Sequence, residues 1–541
     1  MTIDSGTGTG RGRGAAGSAG DGRFADYDAA AAAGMVVAHW AHLQPDVPAI
    51  VSAHGERTFA ELNAAANRLV RAWRARGVVA GDAVAVMVSN RPEFAEVLAA
   101  TQRSGLRVTA INWHLTADEA AYIVGDCQAR VFVADARFAD VAAEAARRSP
   151  QATVLLAVGG AIEGFEPYDE AVAAAAGDDI DDPTLGRSML YTSGTTGRPK
   201  GVHRAEVPPS SGIGALFGYT AGRSIHLCTG PLYHAAPLAF SLTIPINAGC
   251  GVVLMDRWTP EETLALIAER GITHSHMVPT MFHRLLRLPD EVRAAADVSS
   301  LQMVLHGAAP CPVAVKQAII DWWGPVLVEY YAATEGTGTF VTSSEWLERP
   351  GTVGRSPTPD HVRILDPVSG EPLPAGEVGT VYLKAPAVGR FDYFGDPDKT
   401  AASYQGDHFT MGDVGYLDAD GYLFLTDRSA DLIISGGVNV YPAEVEAELL
   451  GHPDVADAAV IGVPDPDWGE VVVAVVEVRP DAVPGDELAA ALVAHCRAGL
   501  AHFKCPRRVD FTDRLPRTDS GKLYKRRLRD EYRARAERDD T

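Results

Sequence analysis

The residues best suited to chemistry form one unbroken string, YTSGTTGRPKG (191–201), which follows the β-type run Ser188-Met189-Leu190. Glycine lets a backbone approach an anion closely, while hydroxyl side chains add donors and a lysine adds positive charge. Thr192, Ser193, Gly194, Thr195, Thr196, Gly197 and Lys200 together have the make-up of a phosphate cradle. They do not form the P-loop of kinases. Pro199 stands before Lys200 where that loop needs glycine, and Gly201 replaces the Ser or Thr that would hold magnesium.

The string resembles the signature loop of the adenylate-forming superfamily, which includes acyl-CoA synthetases, aryl-CoA ligases, peptide-synthetase adenylation domains and firefly luciferase. Further segments fall in that family's order over nearly the whole chain. YYAATE (330–335) resembles the segment that stacks an aromatic ring on adenine. The resemblance implies that Tyr330 and Tyr331 border the base, that Thr334 meets the α-phosphate, and that Glu335 with Thr195 holds Mg²⁺. A ring can stack on a base, and a hard cation prefers carboxylate oxygen. GAAP (307–310) resembles the loop on the other side of the adenine, with Gly307, Ala308 and Ala309 admitting the flat base. Asp413 in MGDVG (411–415), and Asp427 with Arg428, resemble the segments that bind ribose and contact the nucleotide; a carboxylate accepts well from a vicinal diol.

Two further motifs lie closer to the C-terminus. Ser435, Gly436 and Gly437 resemble the turn that meets the pantetheine arm of CoA, and PRTDSGK (516–522) resembles the catalytic segment whose Lys522 reaches the acid and the α-phosphate. Adenylation brings an anionic carboxylate to an anionic triphosphate, so a mobile cation there stabilises the transition state. The sequence departs from the family at two places. Ala332 replaces the usual glycine, where acetate-specific relatives carry a tryptophan, which implies a deeper pocket and a larger acid. Ala430 occupies a hinge position that commonly holds Asp or Lys.

For the acid itself, PLYHAAPL (231–238) resembles the segment whose histidine, here His234, borders the acyl pocket. No carboxylate lies between Leu232 and Leu254 to hold a substrate ammonium, which disfavours an amino acid. HSHMVPT (274–280) resembles the pocket-lining strand and helix start, with His276, Met277 and Val278 expected on the wall. Its HxH pair lacks a neighbouring Cys or carboxylate, so a metal is not expected there. The implied reaction is ATP-dependent formation of an acyl-adenylate followed by transfer to CoA. Medium- or long-chain fatty acids are the first expectation, aryl or arylpropenoic acids the second, and a sterol side-chain acid the third. Delivery to a carrier-protein phosphopantetheine and a luciferase-type oxidation are the enzymatic rivals. A non-catalytic nucleotide binder would have no use for Lys522, Thr334 and Glu335 together.

The elements that must position these groups follow a familiar alternation. From about 84 to 158, and again from about 224 to 330, short β-type runs alternate with helical ones, predicting α/β architecture with doubly wound parallel sheets. Thr116 with Glu119, and Thr259 with Glu262, fit capping boxes. Gly- and Pro-punctuated strands from about 350 to 425 predict a small β-barrel-like lobe. A fresh α+β pattern beyond about 430 predicts a mobile C-terminal domain. The expected division is a disordered tail over 1–34, an adenylation domain over 35–428 and a C-terminal domain over 429–541.

The 541 residues exceed what one core organises, and their net charge of -22 argues against nucleic acid as a partner, the basic run KLYKRRLR (522–529) notwithstanding. With 47% hydrophobic residues and no long apolar stretch, no transmembrane segment is expected. Six dispersed cysteines suggest buried thiols, the first residues lack the apolar stretch of a secretory signal so a cytoplasmic compartment is expected, and a homodimer is the default assembly.

Overall fold

A computed structural model describes residues 24–192, 199–206, 213–428, 431–435, 438–465, 468–518 and 523–539. The run Ala83–Met87 is buried at every position, as a strand covered on both faces requires. It belongs to an all-parallel sheet ordered Glu166–Pro167, Val154–Val158, Ala129–Asp135, Ala83–Met87, Arg107–Ala110, Arg187–Ser188. A second, eight-stranded sheet runs Gly336–Thr342, Leu327–Ala333, Met303–His306, His274–Met277, Ile225–Cys228, Gly251–Leu254, Pro48–Ser52, Gly55–Thr58. Its pairings are parallel except at the two edges, where Gly336–Thr342 and Gly55–Thr58 fold back antiparallel.

Local chemistry sets the helices between these strands. Pro92 opens Pro92–Arg103 in its first turn, where the missing N–H costs nothing. The Thr116–Glu119 capping box has both of its bonds, and Thr58–Glu61 and Thr342–Glu345 form two more. At Thr259 the hydroxyl accepts the Glu262 amide at 3.2 Å. The antiparallel lobe is built from Val362–Leu365, Gly379–Lys384, Tyr404–Gln405, His408–Leu417 and Leu423–Arg428.

The small C-terminal domain holds the sheet Val438–Val440, Ile433–Ser435, Gly469–Val478, Val455–Asp465, with Arg508–Phe511 added in parallel to Gly469–Val478. Asp486–Gly499 and Lys525–Asp539 are its longer helices. Within the basic run, Lys525 pairs with Glu446 at 2.8 Å and Arg529 with Asp431 at 2.6 Å. This domain meets the larger one at helix Pro279–Leu286: a ring nitrogen of His283 lies 3.1 Å from the Ala456 carbonyl, and Arg287 donates to the carbonyls of Val455 and Ala456.

One expectation is corrected at the N-terminus. Order begins before residue 35, because Asp26 caps the helix Tyr27–Ala32, and Phe24 is buried with its carbonyl 2.9 Å from the His39 ring. Residues 1–23 lie outside the described residues. The six cysteines are all free thiols, five of them buried.

A buried ion pair ties helix Val313–Trp323 to the strand that leads into the candidate site. Lys316, fully buried, donates to Glu329 at 2.6 Å and lies 4.8 Å from the Trp346 ring centroid. Substituting Lys316→Met leaves the Glu329 carboxylate buried and unpaired, so urea denaturation is expected to show a loss of about 3–5 kcal/mol. The double substitution with Glu329→Leu should recover most of it.

Candidate active site

Strand Leu327–Ala333 doubles back into Gly336–Thr342, and Thr334 and Glu335 form the tip of that hairpin. The register shifts between Tyr331 and Ala332, a bulge that re-aims side chains next to the tip. Tyr331 donates its hydroxyl to Asp413 at 2.6 Å, and both are buried. A Cβ on Gly338 would lie 2.7 Å from the Tyr331 ring, so glycine there lets the ring lie against the opposite strand. Asp413 pairs across strands with Arg428, whose side chain lies outside the described residues.

The loop at 307–310 closes the same end of the sheet. A Cβ on Gly307 would meet the Tyr330 carbonyl at 2.6 Å and its ring at 2.8 Å. Ala308 follows with φ of 65°, a left-handed conformation unusual for a residue with a Cβ. Backbone outliers of this kind concentrate at ligand clamps. Gly307, Ala308, Ala309, Tyr330 and Tyr331 are therefore gathered at the C-terminal ends of neighbouring parallel strands, where ligands of α/β sheets bind.

The signature string forms the link between two antiparallel strands, Leu190–Thr192 and Lys200–Arg204, with Thr192 opposite Lys200. Tyr191 donates its hydroxyl to the Asp126 carboxylate, anchoring the first strand, and Gly201 would bring a Cβ within 3.2 Å of the Tyr191 ring. Ser193, Gly194, Thr195, Thr196 and Gly197 lie outside the described residues, as do Ala430, Gly436, Gly437 and Lys522. Ser435 is buried and pairs with Val438 and Gly469.

Two residues that the sequence did not single out hold the hairpin tip. Arg204 donates through one guanidinium nitrogen to the Thr334 carbonyl at 2.9 Å and the Glu335 carbonyl at 2.8 Å. Tyr393, on the strand Phe391–Tyr393 beside Lys200–Arg204, donates to the Glu335 carboxylate at 2.9 Å. Burial, and then the charge of Glu335, raise the Tyr393 phenol pKa, so it stays a donor. Lys200 Nζ sits 5.5 Å from the Tyr393 ring centroid; burial and the neighbouring Lys399 lower its pKa. The sequence signal for Arg204 was a charge within a short strand just after the signature string. Tyr393 had none, because only tertiary pairing brings it here.

On the other side of Ala332 lies an aromatic cluster. Tyr330 accepts or donates at 2.8 Å with His276, and Phe240 packs 4.7 Å from the Tyr330 ring and 5.8 Å from His276. Phe240 comes from Pro237–Thr243, a π-helical stretch, and such stretches recur at functional sites. His234, half-buried, precedes it, with its ring 4.4 Å from that of Tyr233. Met277 and Val278 correct the expectation that they line this wall. Both pack with Leu227, Phe282 and Trp323. Alternation along the strand sends Met277 to the face opposite His276. His274 bonds the Phe217 carbonyl at 2.9 Å and Thr273 at 2.8 Å.

Two measurements test this geometry. Arg204→Ala removes both bonds to the tip and should lower the rate of pyrophosphate release on the order of 10–100-fold, with Arg204→Lys restoring part of it. Burial holds the pKa values of His276 and His283 down at about 4. Above pH 6.5 neither contributes to pH dependence. Between 6.5 and 4 the unfolded chain binds protons that the folded one refuses, so stability falls with pH by about 1.4 kcal/mol per unit for each histidine. A His276→Gln variant should show a shallower loss between pH 7 and 5 in urea titrations.

The chain matches the model for AMP-binding enzymes over residues 37–391 and that for the AMP-binding enzyme C-terminal domain over 444–522. It is 36% identical to a feruloyl-CoA synthase of an Amycolatopsis species, covering 90% of this chain and 96% of that one. A long-chain-fatty-acid–CoA ligase of Mycobacterium tuberculosis is 33% identical over 88% of this chain and 93% of its own. Among solved structures, an anthranilate CoA ligase in complex with anthranoyl-AMP superposes with a TM-score of 0.83 at 25% identity, covering 93% of this chain and 98% of that one. With the signature hairpin, the Thr334-Glu335 tip and these matches, the chain belongs to the AMP-binding, adenylate-forming enzymes of the acyl-CoA ligase type.

Proposed function

We propose that this enzyme activates a compact aromatic carboxylic acid with ATP and transfers the acyl group to CoA. The observation that carries the choice of acid is the cluster behind Ala332. Phe217, Tyr330 and Leu305 form its core, with Phe240 and Phe340 against it, and the Tyr330 hydroxyl is tied to His276. An aromatic acid presented to these side chains would meet them at favourable offset or edge geometry, which an alkyl chain does not offer. The sequence ranked medium- and long-chain fatty acids first, and the likeness to a mycobacterial long-chain ligase supports that second reading. The likeness to the feruloyl and anthranilate enzymes is compatible with an aromatic ring, as that to the mycobacterial ligase is with a fatty acid.

The reaction divides into two displacements. A carboxylate oxygen attacks the α-phosphorus of ATP; the bond to the bridging oxygen breaks, and pyrophosphate leaves. Lys522 supplies the cation that brings the two anions together, and the cradle from Thr192 to Lys200 holds the phosphates. Glu335, a buried carboxylate oriented by Tyr393, is a fitting oxygen donor for Mg²⁺ together with Thr195. Bound there, the ion would neutralise phosphate charge. Tyr331 and the 307–309 loop flank the adenine, while Asp413 and Arg428 take the ribose. Rotation of the domain beyond residue 428 then withdraws Lys522 and presents the Ser435–Gly437 turn to CoA, whose thiolate attacks the acyl carbonyl and expels AMP.

Thioester formation across benzoic, cinnamic and C4–C16 fatty acids, followed by mass spectrometry, tests the reading. Aromatic acids should be converted with kcat/KM at least tenfold above any fatty acid. Preference for C8 or longer chains would overturn the choice of acid, and adenylate without thioester would point to a carrier protein instead. Lys522→Ala should slow adenylation on the order of 10²–10⁴-fold.

A further inference from the structure

The wall of the proposed acyl pocket is not purely apolar. Strands Ile225–Cys228 and His274–Met277 run parallel with His226 opposite His274, so His226, His274 and His276 share one face of the sheet. That face looks toward Tyr219, Phe240 and Tyr330. Three imidazoles in a buried wall require partners, because an unpaired buried polar group costs about 1–3 kcal/mol. His274 has two, the Phe217 carbonyl and the Thr273 hydroxyl. His276 has the Tyr330 hydroxyl.

His226 is satisfied on one side only. Its Nδ1 lies 2.7 Å from the Tyr219 hydroxyl, while its Nε2 is buried without a hydrogen-bond partner among the described residues. Tyr219 is itself stacked on His274, with centroids 4.2 Å apart, and so is fixed in place. A phenol is a better donor than acceptor, so the Tyr219 hydroxyl donates a hydrogen bond to Nδ1, and the Nε2 of the neutral ring then carries the hydrogen. Burial, reinforced by His274 and His276, keeps the ring neutral.

We infer that His226 Nε2 recognises a neutral oxygen at the far end of the acid, making the preferred substrate a hydroxy- or methoxy-substituted aromatic acid. This rests on the proposed reading of the enzyme as an aromatic acid ligase. The chemistry excludes the neighbouring classes. A second carboxylate would meet no cation among the described residues of this wall, and a ring amine offers hydrogens to a group that is itself a donor. A plain arene leaves the imidazole as it stands, unpaired. Sites built to bond a substrate hydroxyl reject the analogue lacking it by several orders of magnitude, because their own polar group is then stranded. The Tyr330 hydroxyl, bonded to His276 on the same face, is the second polar group available to such a substituent.

The test compares kcat/KM for benzoic and cinnamic acids bearing hydroxyl, methoxyl, amino, carboxyl or hydrogen at the distal ring position. The expected result is a preference of at least 100-fold for the hydroxyl or methoxyl acid over the unsubstituted one. In His226→Phe that ratio should collapse below tenfold, chiefly through the oxygenated acid. Equal use of all five substituents by the unaltered enzyme overturns this inference while leaving the aromatic reading intact. Exclusive use of fatty acids removes the aromatic reading itself. Should His226→Phe not fold, Tyr219→Phe tests the same point, since loss of the fixed hydroxyl frees the tautomer and should reduce the ratio; an unchanged ratio in a folded variant also overturns the assignment.

Discussion

Two carbonyl oxygens, those of Thr334 and Glu335, share one guanidinium nitrogen of Arg204, and that shared donor holds the hairpin tip. A hairpin tip at the edge of a sheet has little to hold it, because its strands pair with each other and the turn projects beyond them. Arg204 ties the tip to a different sheet, the one that carries the signature string. Tyr393, from the same sheet, fixes the Glu335 carboxylate. The strand that leaves the signature string and the hairpin tip that carries Thr334 and Glu335 are thus tied to each other.

Beneath the tip the same strand is held from inside. Glu329 pairs with buried Lys316, the ring of Tyr330 is tied to His276, and Tyr331 is tied to Asp413 of the antiparallel lobe. Glu329 and Tyr331 thus lie on one face of the strand and Tyr330 on the other, toward His276. The bulge after Tyr331 breaks this alternation at Ala332.

Much of this architecture was legible in the sequence because its signals are local. Apolar runs of five or so residues punctuated by Pro92 and the Thr116 cap placed the parallel strands and their helices close to where they lie. The string 191–201 offers the residue types of a phosphate cradle, and its positions 193–198 lie outside the described residues. Other features were hidden for physical reasons. Met277 and Val278 belong to a segment that resembles a pocket wall, yet strand geometry turns Met277 to the face opposite His276, and both pack in the core with Leu227 and Phe282. Arg204 and Tyr393 act across a strand pair and against a hairpin 130 and 58 residues from each. No spacing rule covers such a distance. The helix Tyr27–Ala32 follows a low-complexity stretch that masks its short cap at Asp26.

The central claim is that a carboxylate oxygen becomes bonded to the α-phosphorus before the acyl group reaches sulfur. Acid labelled with ¹⁸O in its carboxylate, turned over with ATP and CoA, traces that bond directly. The account predicts one labelled oxygen in the AMP released and none in pyrophosphate; label appearing in inorganic phosphate alongside ADP would contradict it.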